Sequence, residues 1–376
     1  MSENNIFIGD YDVGRVADGV LKVAVKDNID VAGMPTTLGT RACQEAPPAQ
    51  ADAAVVAELR KASIKIVGKT NLDELANGAT GINPWFGTVT NPTDSTRIAG
   101  GSSSGSAAAV GFGLVDFALG TDTGGSLRIP AAFCGVAGFK PSKGFLSTRG
   151  VHPTADRMDV IGPMARDVAG VRRAFHLMAP EVAQSTGKAV TKVARLRFSQ
   201  EETTVDETVD AALERMGVLV EDLQIPGWQE AHFAAYTIIA HQCWTNNRDL
   251  IESAPESIGE AATAVILDGE KITAQEYGEA VGFANRWSVQ IQALVEEYDL
   301  LACPTVSTLA PPIEGFGEIQ WGSFSRTMQF SLSGHPALAA PLDVPGTHLK
   351  TGIQLVGPYG QDAWLLARAQ ELLDRV

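Results

Sequence analysis

Cysteine is scarce in this sequence. The four residues, at 43, 134, 243 and 303, are scattered and show no CxxC spacing. They read as reduced and mostly structural thiols of a cytoplasmic protein, not as a disulfide framework. No HExxH, HxH or Cys/His cluster is present, so no metal site is expected. Positive charge is also in short supply. The 29 Lys and Arg face 44 Asp and Glu, a net charge of −15, and no basic cluster stands out. That balance argues against nucleic acid or an anionic membrane as a partner. No apolar run reaches the roughly 18 residues of a membrane-spanning helix. The first residues, MSENNIFIGDYDVGR, have neither a basic n-region nor a long apolar h-region, so no signal peptide is expected. Repeats, low-complexity tracts and flexible linkers are missing too. What remains, 45% hydrophobic and 19% charged residues in 376, fits a globular protein with a sizeable core.

Glycine and serine, by contrast, are concentrated. Between Ala99 and Pro130 the sequence AGGSSSGSAAAVGFGLVDFALGTDTGGSLRIP places two Gly/Ser turns around one helix-like and one strand-like segment. Ala107 to Val110 reads as a short buried helix and Val115 to Leu119 as a buried strand. Helix and returning strand have nearly equal rise, which brings Ser102 and Ser126 together. Both fall where strands end and helices begin, the side on which open α/β sheets bind ligands. Thr123-Gly124-Gly125-Ser126 is suited to form a nest of backbone N–H groups. A serine at its end is a candidate nucleophile whose oxyanion would rest in that nest. A phosphate loop or a plain tight turn fits these four residues as well. A serine nucleophile needs a base, and the six histidines show no motif spacing. A desolvated lysine is the other option. Lys26 closes the strand-like KVAVK of Lys22 to Lys26, although a solvated strand-end lysine has the same local sequence.

Several longer blocks carry a resemblance. KVAVKDNIDVAGMPTT, GKTNLDELANGATGINPWFGTVTNP, GGSSSGSAAAV, GTDTGGSLRIPAAFCGVAGFKPSKG and MDVIGPMARDV follow in order across residues 20–170. CPTVSTLAPP, SGHPALAAP and TGIQLVGP follow near the C-terminus. Together they closely resemble the amidase signature family. The resemblance implies a Ser–cis-Ser–Lys triad: Ser126 as nucleophile, Ser102 as the bridging serine after a cis peptide bond, and Lys26 as base. Thr123, Gly124, Gly125 and Ser126 would supply the oxyanion hole. Asn77, Gly78 and Ser103 are candidate substrate-binding residues. The implied reaction is hydrolysis of a small amide through an acyl-enzyme, with no cofactor. The catalytic block is nearest to small-amide hydrolases such as indole-3-acetamide hydrolase. Alternatives are the glutaminase subunit of a tRNA-dependent amidotransferase, a hydrolase of allophanate- or carboxybiuret-type urea derivatives, and a non-catalytic binding or scaffold relative. Expected partners are a small amide substrate and a second copy of the chain in a homodimer.

The fold expected is α/β, a single large domain over 1–376 with a mixed central sheet flanked by helices. Its catalytic motifs occupy 20–170, a variable helical pocket region 180–300, and strands and a helix 300–376. Residues 1–19 read as a short lead-in. Ala51–Ala62 reads as an amphipathic helix and Ile64–Val67 as a strand, the βαβ grammar of a parallel sheet. Further on, Val209–Met216 and Ala231–Ile251 read as helices. Thr273 to Glu276 is a capping box. Leu300–Cys303, Pro336–Pro341 and Ile353–Val356 read as strands, and Asp362–Leu373 as the closing helix. His152 reads as structural or pocket-lining. Arg128 reads as an anchor of the nucleophile loop through Asp122, and the apolar Ile129 disfavours a malonamate-like substrate. His232, Tyr236, His241 and Trp244 are candidates for the acyl pocket. Three rival motifs fail on context. Gly68-Lys69-Thr70 lacks the leading glycine of a Walker A loop. Gly101 to Gly105 matches GxSxG, with Ser103 as nucleophile, but follows loop-like sequence. Ser185–Lys188 with Lys350–Gly352 imitates the SxxK and KTG pair of penicillin-binding enzymes, but no SxN lies between.

Overall fold

The computed structural model describes residues 4–9, 19–182, 187–198, 203–314 and 324–376. Buried strand runs alternate with helical segments, giving β1 (Lys22–Lys26), α1 (Ala54–Lys61), β2 (Lys65–Thr70), α2 (Ser104–Gly111), β3 (Phe117–Asp122), α3 (Arg128–Cys134), β4 (Ala137–Lys140), β5 (Val160–Ala165) and α4 (Val168–Met178). The second half adds β6 (Lys192–Leu196), α5 (Thr203–Met216), β7 (Leu219–Leu223), α6 (Trp228–Ser253), α7 (Glu260–Glu270), α8 (Ala274–Tyr298) and β8 (Leu300–Pro304). It closes with α9 (Met328–Ser333), β9 (Ala337–Asp343), β10 (Lys350–Val356) and α10 (Asp362–Leu373).

Among the described residues the strands form one mixed ten-stranded sheet in the order β2-β1-β3-β5-β4-β9-β10-β8-β6-β7. β1 runs parallel to β2 and β3, and β6 parallel to β7 and β8. The middle pairings, β3–β5, β5–β4, β4–β9, β9–β10 and β10–β8, are antiparallel. Helices cover both faces, as fully buried strands such as β3, β4, β5 and β8 require. One core packs Val23, Val25, Leu119 and Phe139 against α1, α4 and α10. A second lies under α2 and holds Ala24, Ala107, Ala108 and Ala118. A third gathers α6, α8 and α9 around Trp287.

The expected elements are present, several with shifted ends. The strand expected over Val115–Leu119 runs instead from Phe117 to Asp122, because the polar Thr121 and Asp122 are drawn into the ladder against β5. α2 starts at Ser104, ahead of its alanine run, and α6 spans 26 residues. The Thr273/Glu276 capping box opens α8 as expected. Lys350–Gly352 opens β10, whereas Ser185 lies outside the described residues, as do 1–3 and 10–18 of the lead-in.

The described part of the lead-in is integral. Ile6 and Ile8 are buried, Phe7 bridges to Thr70, and Asn71 N donates to the Ile6 carbonyl at 2.8 Å. No described helix is long and apolar enough to cross a membrane.

Candidate active site

β1 and β3 are parallel neighbours, so their ends open on the same side of the sheet. β1 ends at Lys26, and β3 ends at Thr121-Asp122 with the Thr123–Ser126 turn directly beyond it. Lys26 is fully buried. Its Nζ donates to Ser102 Oγ at 2.8 Å and to Thr121 Oγ1 at 2.9 Å. Asn28 Nδ2 reaches the same Thr121 hydroxyl at 3.1 Å. The adjacent carboxylate, Asp27, is not a partner of Lys26. It pairs with Lys69 at 2.8 Å, both side chains being inaccessible to solvent. Among the described residues no carboxylate lies within ion-pair distance of Lys26. Burial therefore lowers the Lys26 pKa to about 7, although the more distant charges of Asp73, Asp122 and Asp159 pull the other way.

Ser102 follows a cis Gly101–Ser102 peptide bond. The loop that carries it is locked to the Thr123–Ser126 turn, because Ser103 N donates to the Ser126 carbonyl at 3.2 Å. Gly101 has no room for a side chain: a Cβ there would stand 2.0 Å from Asp73 Oδ1. Asp73 is itself buried. It accepts from Thr80 N, Thr80 Oγ1 and Gly81 N, each at 2.8 Å, and burial pushes its pKa up.

Three ties hold the turn after β3. Asp122 and Arg128, both buried, form a two-point ion pair at 2.8 and 3.0 Å. Arg128 also donates to Gln354 Oε1 and to the Thr327 carbonyl. Burial works to raise the Asp122 pKa, and the Arg128 charge and hydrogen bonds outweigh it, holding the carboxyl below its ordinary value. Thr327 Oγ1 donates to the Gly124 carbonyl at 2.6 Å. Thr123 Oγ1 donates to Asp159 Oδ1 at 2.5 Å, while Asp159 Oδ2 accepts from Thr154 N and Ala155 N. Gly125 sits at φ 148°, with Thr327 Oγ1 only 2.3 Å from where a Cβ would be. Among the described residues no hydrogen bond takes up the N–H of Thr123, Gly124, Gly125 or Ser126. These donors remain available to a ligand oxygen, as in an anion nest.

Ser126 lies at a cavity of about 30 Å³. Asn77, Gly78, Thr123, Gly124 and Thr154 line its polar part, and Ala76, Ile239, Val265, Phe324 and Met328 its apolar part. A much larger cavity, about 1020 Å³, lies elsewhere, between α5, the β9–β10 hairpin and the end of α10, and none of the candidate site residues lines it.

The structure thus brings together Lys26, Ser102, the Thr123–Ser126 turn, Asn77 and Gly78. Ser103 is a correction. Its hydroxyl donates to the Thr121 carbonyl at 3.1 Å, the residue is fully buried, and it does not line the cavity. The pocket candidates His232, Tyr236, His241 and Trp244 do not line it either. Tyr236 donates to Asp268, and His241 packs on Tyr277 with ring centroids 4.4 Å apart. α6 contributes Ile239 instead. His152 shares a hydrogen bond with Asn247 at 3.0 Å, Ile129 is buried, and Cys134 packs against the Ala99 carbonyl. Sequence reasoning missed Thr121, Asp73 and Asp159. All three lie inside the quoted blocks, where polarity in an otherwise buried run was the available signal. Ile239, Val265 and Met328 had none.

The family model described as Amidase matches residues 16–366. The chain is 32% identical to a subunit of the Glutamyl-tRNA(Gln) amidotransferase of Halobacterium salinarum, over 97% of this chain and 98% of that protein. It is 30% identical to the 1-carboxybiuret hydrolase subunit AtzE of a Pseudomonas species, over 94% of this chain and 83% of that protein. The crystal structure of the corresponding Glutamyl-tRNA(Gln) amidotransferase subunit from Thermotoga maritima superposes with a TM-score of 0.82 at 28% identity, covering 97% of this chain and 86% of that one. By sequence and by architecture, this chain belongs to the amidase family.

Proposed function

We propose that the chain hydrolyses the C–N bond of a small amide by acyl transfer, with Ser126 as nucleophile, Ser102 as proton relay and Lys26 as base. The observation that carries this reading is the buried Lys26 Nζ, 2.8 Å from Ser102 Oγ with a pKa near 7. A neutral amine there accepts a proton at physiological pH, which an ordinary lysine does not. Ser126 Oγ attacks the carbonyl carbon and its proton passes through Ser102 to Lys26. The oxygen, now negative, takes up the N–H groups of the 123–126 turn. As the C–N bond breaks, the proton returns to the leaving nitrogen, which departs as ammonia or an amine. Water attacks the acyl-enzyme by the same relay and releases the carboxylic acid.

Residues 1–376 act as one domain in this reading. The cavity at Ser126 takes walls from all three stretches: Asn77 and Gly124 from the first, Ile239 and Val265 from the second, and Met328 from the third. The test is ammonia release by the purified chain beside Ser126→Ala, with a fluorophosphonate probe reporting on the serine. Loss of turnover and labelling in Ser126→Ala supports the reading, and wild-type turnover in that variant rejects it. A second reading, a glutaminase subunit of an amidotransferase, is favoured by the names of the relatives. It predicts copurifying subunits and glutamine-specific ammonia release.

A further inference from the structure

We infer that the acyl group this site accepts is small, uncharged and apolar, so that short aliphatic amides are substrates and amides bearing a carboxylate are not. The inference rests on the Ser126 reading above and narrows it.

Shape comes first. About 30 Å³ is roughly a tenth of the smallest pockets that hold drug-sized ligands. Hydrocarbon presses directly on the turn. A Cβ placed on Gly124 would meet Met328 Cγ at 3.2 Å, Met328 Cε at 3.3 Å and Phe324 Cδ1 at 3.4 Å. Ile239 from α6 and Val265 from α7 complete the apolar wall. An acyl chain bound to Ser126 therefore leaves water for methyl and aromatic groups, which favours hydrocarbon.

Charge decides the rest. No lysine, arginine or histidine lines the cavity among the described residues. Cations on surrounding elements are engaged elsewhere: Lys26 with Ser102 and Thr121, Arg128 with Asp122, Lys143 with the Asp159 carbonyl at 3.0 Å, Arg157 with Asn285, and Arg326 with Asp206. Residues 315–323, which lead into Phe324, contain Glu318 but no lysine or arginine. Of all the Lys and Arg in the chain, only Arg15 lies outside the described residues. Behind the wall stand two buried carboxyl groups, Asp73 against Gly78 and Asp159 against Thr123. A substrate carboxylate would lose its hydration here and gain no counter-charge, a large penalty. A substrate ammonium fares little better, because both acids already accept three hydrogen bonds each.

The experiment compares kcat/KM for ammonia release from acetamide, propionamide, butyramide, succinamate, glutamine, allophanate and 1-carboxybiuret, using the full chain. Fluorophosphonate labelling of Ser126 is measured on the same preparation. Butyramide should exceed succinamate, which puts a carboxylate in place of its methyl, by about 100-fold or more. Val265→Phe, which narrows the apolar wall from a half-buried helix position, should lower the butyramide-to-acetamide ratio about tenfold. Equal or better turnover of succinamate, glutamine, allophanate or carboxybiuret overturns the inference and leaves the Ser126 mechanism standing. Labelled Ser126 with no turnover of any amide also overturns it. Absence of both labelling and turnover overturns the mechanism itself, and the inference with it.

Discussion

Lys26 is a costly residue to bury, and the cost has a pH signature. With a folded-state pKa of about 7 against the ordinary 10.5, it is neutral where a lysine is usually charged. Protonation removes the base, so kcat/KM should rise with pH through a midpoint of about 7 and level off above it. A profile flat from about pH 5 to 9 would remove Lys26 from the role. Stability follows the same group with a defined sign. Between pH 7 and 10.5 the unfolded chain holds a proton that the folded chain lacks, so the lysine's destabilising effect shrinks as pH rises across that window. The Tm advantage of Lys26→Met over wild type should therefore shrink between neutral pH and about pH 10, measured by thermal denaturation. Lys26→Ala and Ser102→Ala should each lower turnover by at least about 100-fold, with the circular dichroism spectrum unchanged.

At the scale of the element, the turn after β3 works because it is held from outside. The Arg128–Asp122 pair ties the start of α3 to the end of β3, and Gln354 on β10 accepts a further bond from the same guanidinium. Arg128→Met leaves Asp122 buried and unpaired, an expected loss of about 3–5 kcal/mol in chemical denaturation. Asp122→Leu combined with Arg128→Met should recover part of that loss, because the pair is then replaced by hydrocarbon. This device was legible in the sequence: an acid and an arginine flank a glycine turn, one at each end. The strand end at Lys26 was legible because the apolar run of β1 stops at that lysine, whereas the end of β3 was not, because Gly120, Thr121 and Asp122 continue the ladder past Leu119. Asp159 was not, because its bond to Thr123 joins two strand ends that are distant in sequence and meet through the β3–β5 ladder. Ile239 and Val265 were illegible on different grounds. An apolar residue on a helix states that it is buried, not whether it faces a core or a cavity.

Across the whole molecule, the first described residues belong to the structure that carries the site. By sequence alone, residues 1–19 read as a short lead-in. In the fold, Ile6 joins the cluster of Val67, Val89 and the α2 alanines. Its carbonyl lies 2.5 Å from where a Cβ on Gly105 would stand, so α2 approaches this segment as closely as a glycine allows. Ile8 packs on Leu72 and Ala76, and Ala76 lines the cavity at Ser126. The segment therefore supports the site from two sides, under α2 and behind the 72–78 loop. Ile6→Ala should cost about 2–5 kcal/mol, read as a lower denaturant midpoint with an unchanged slope. Ile8→Ala should cost a similar amount and in addition raise KM for a short amide, because the loop it supports carries Ala76, Asn77 and Gly78. If instead both variants keep wild-type midpoints, the segment rests on the fold without supporting it. If Ile6→Ala raises KM as much as Ile8→Ala does, the effect is a general loosening and not support of that loop.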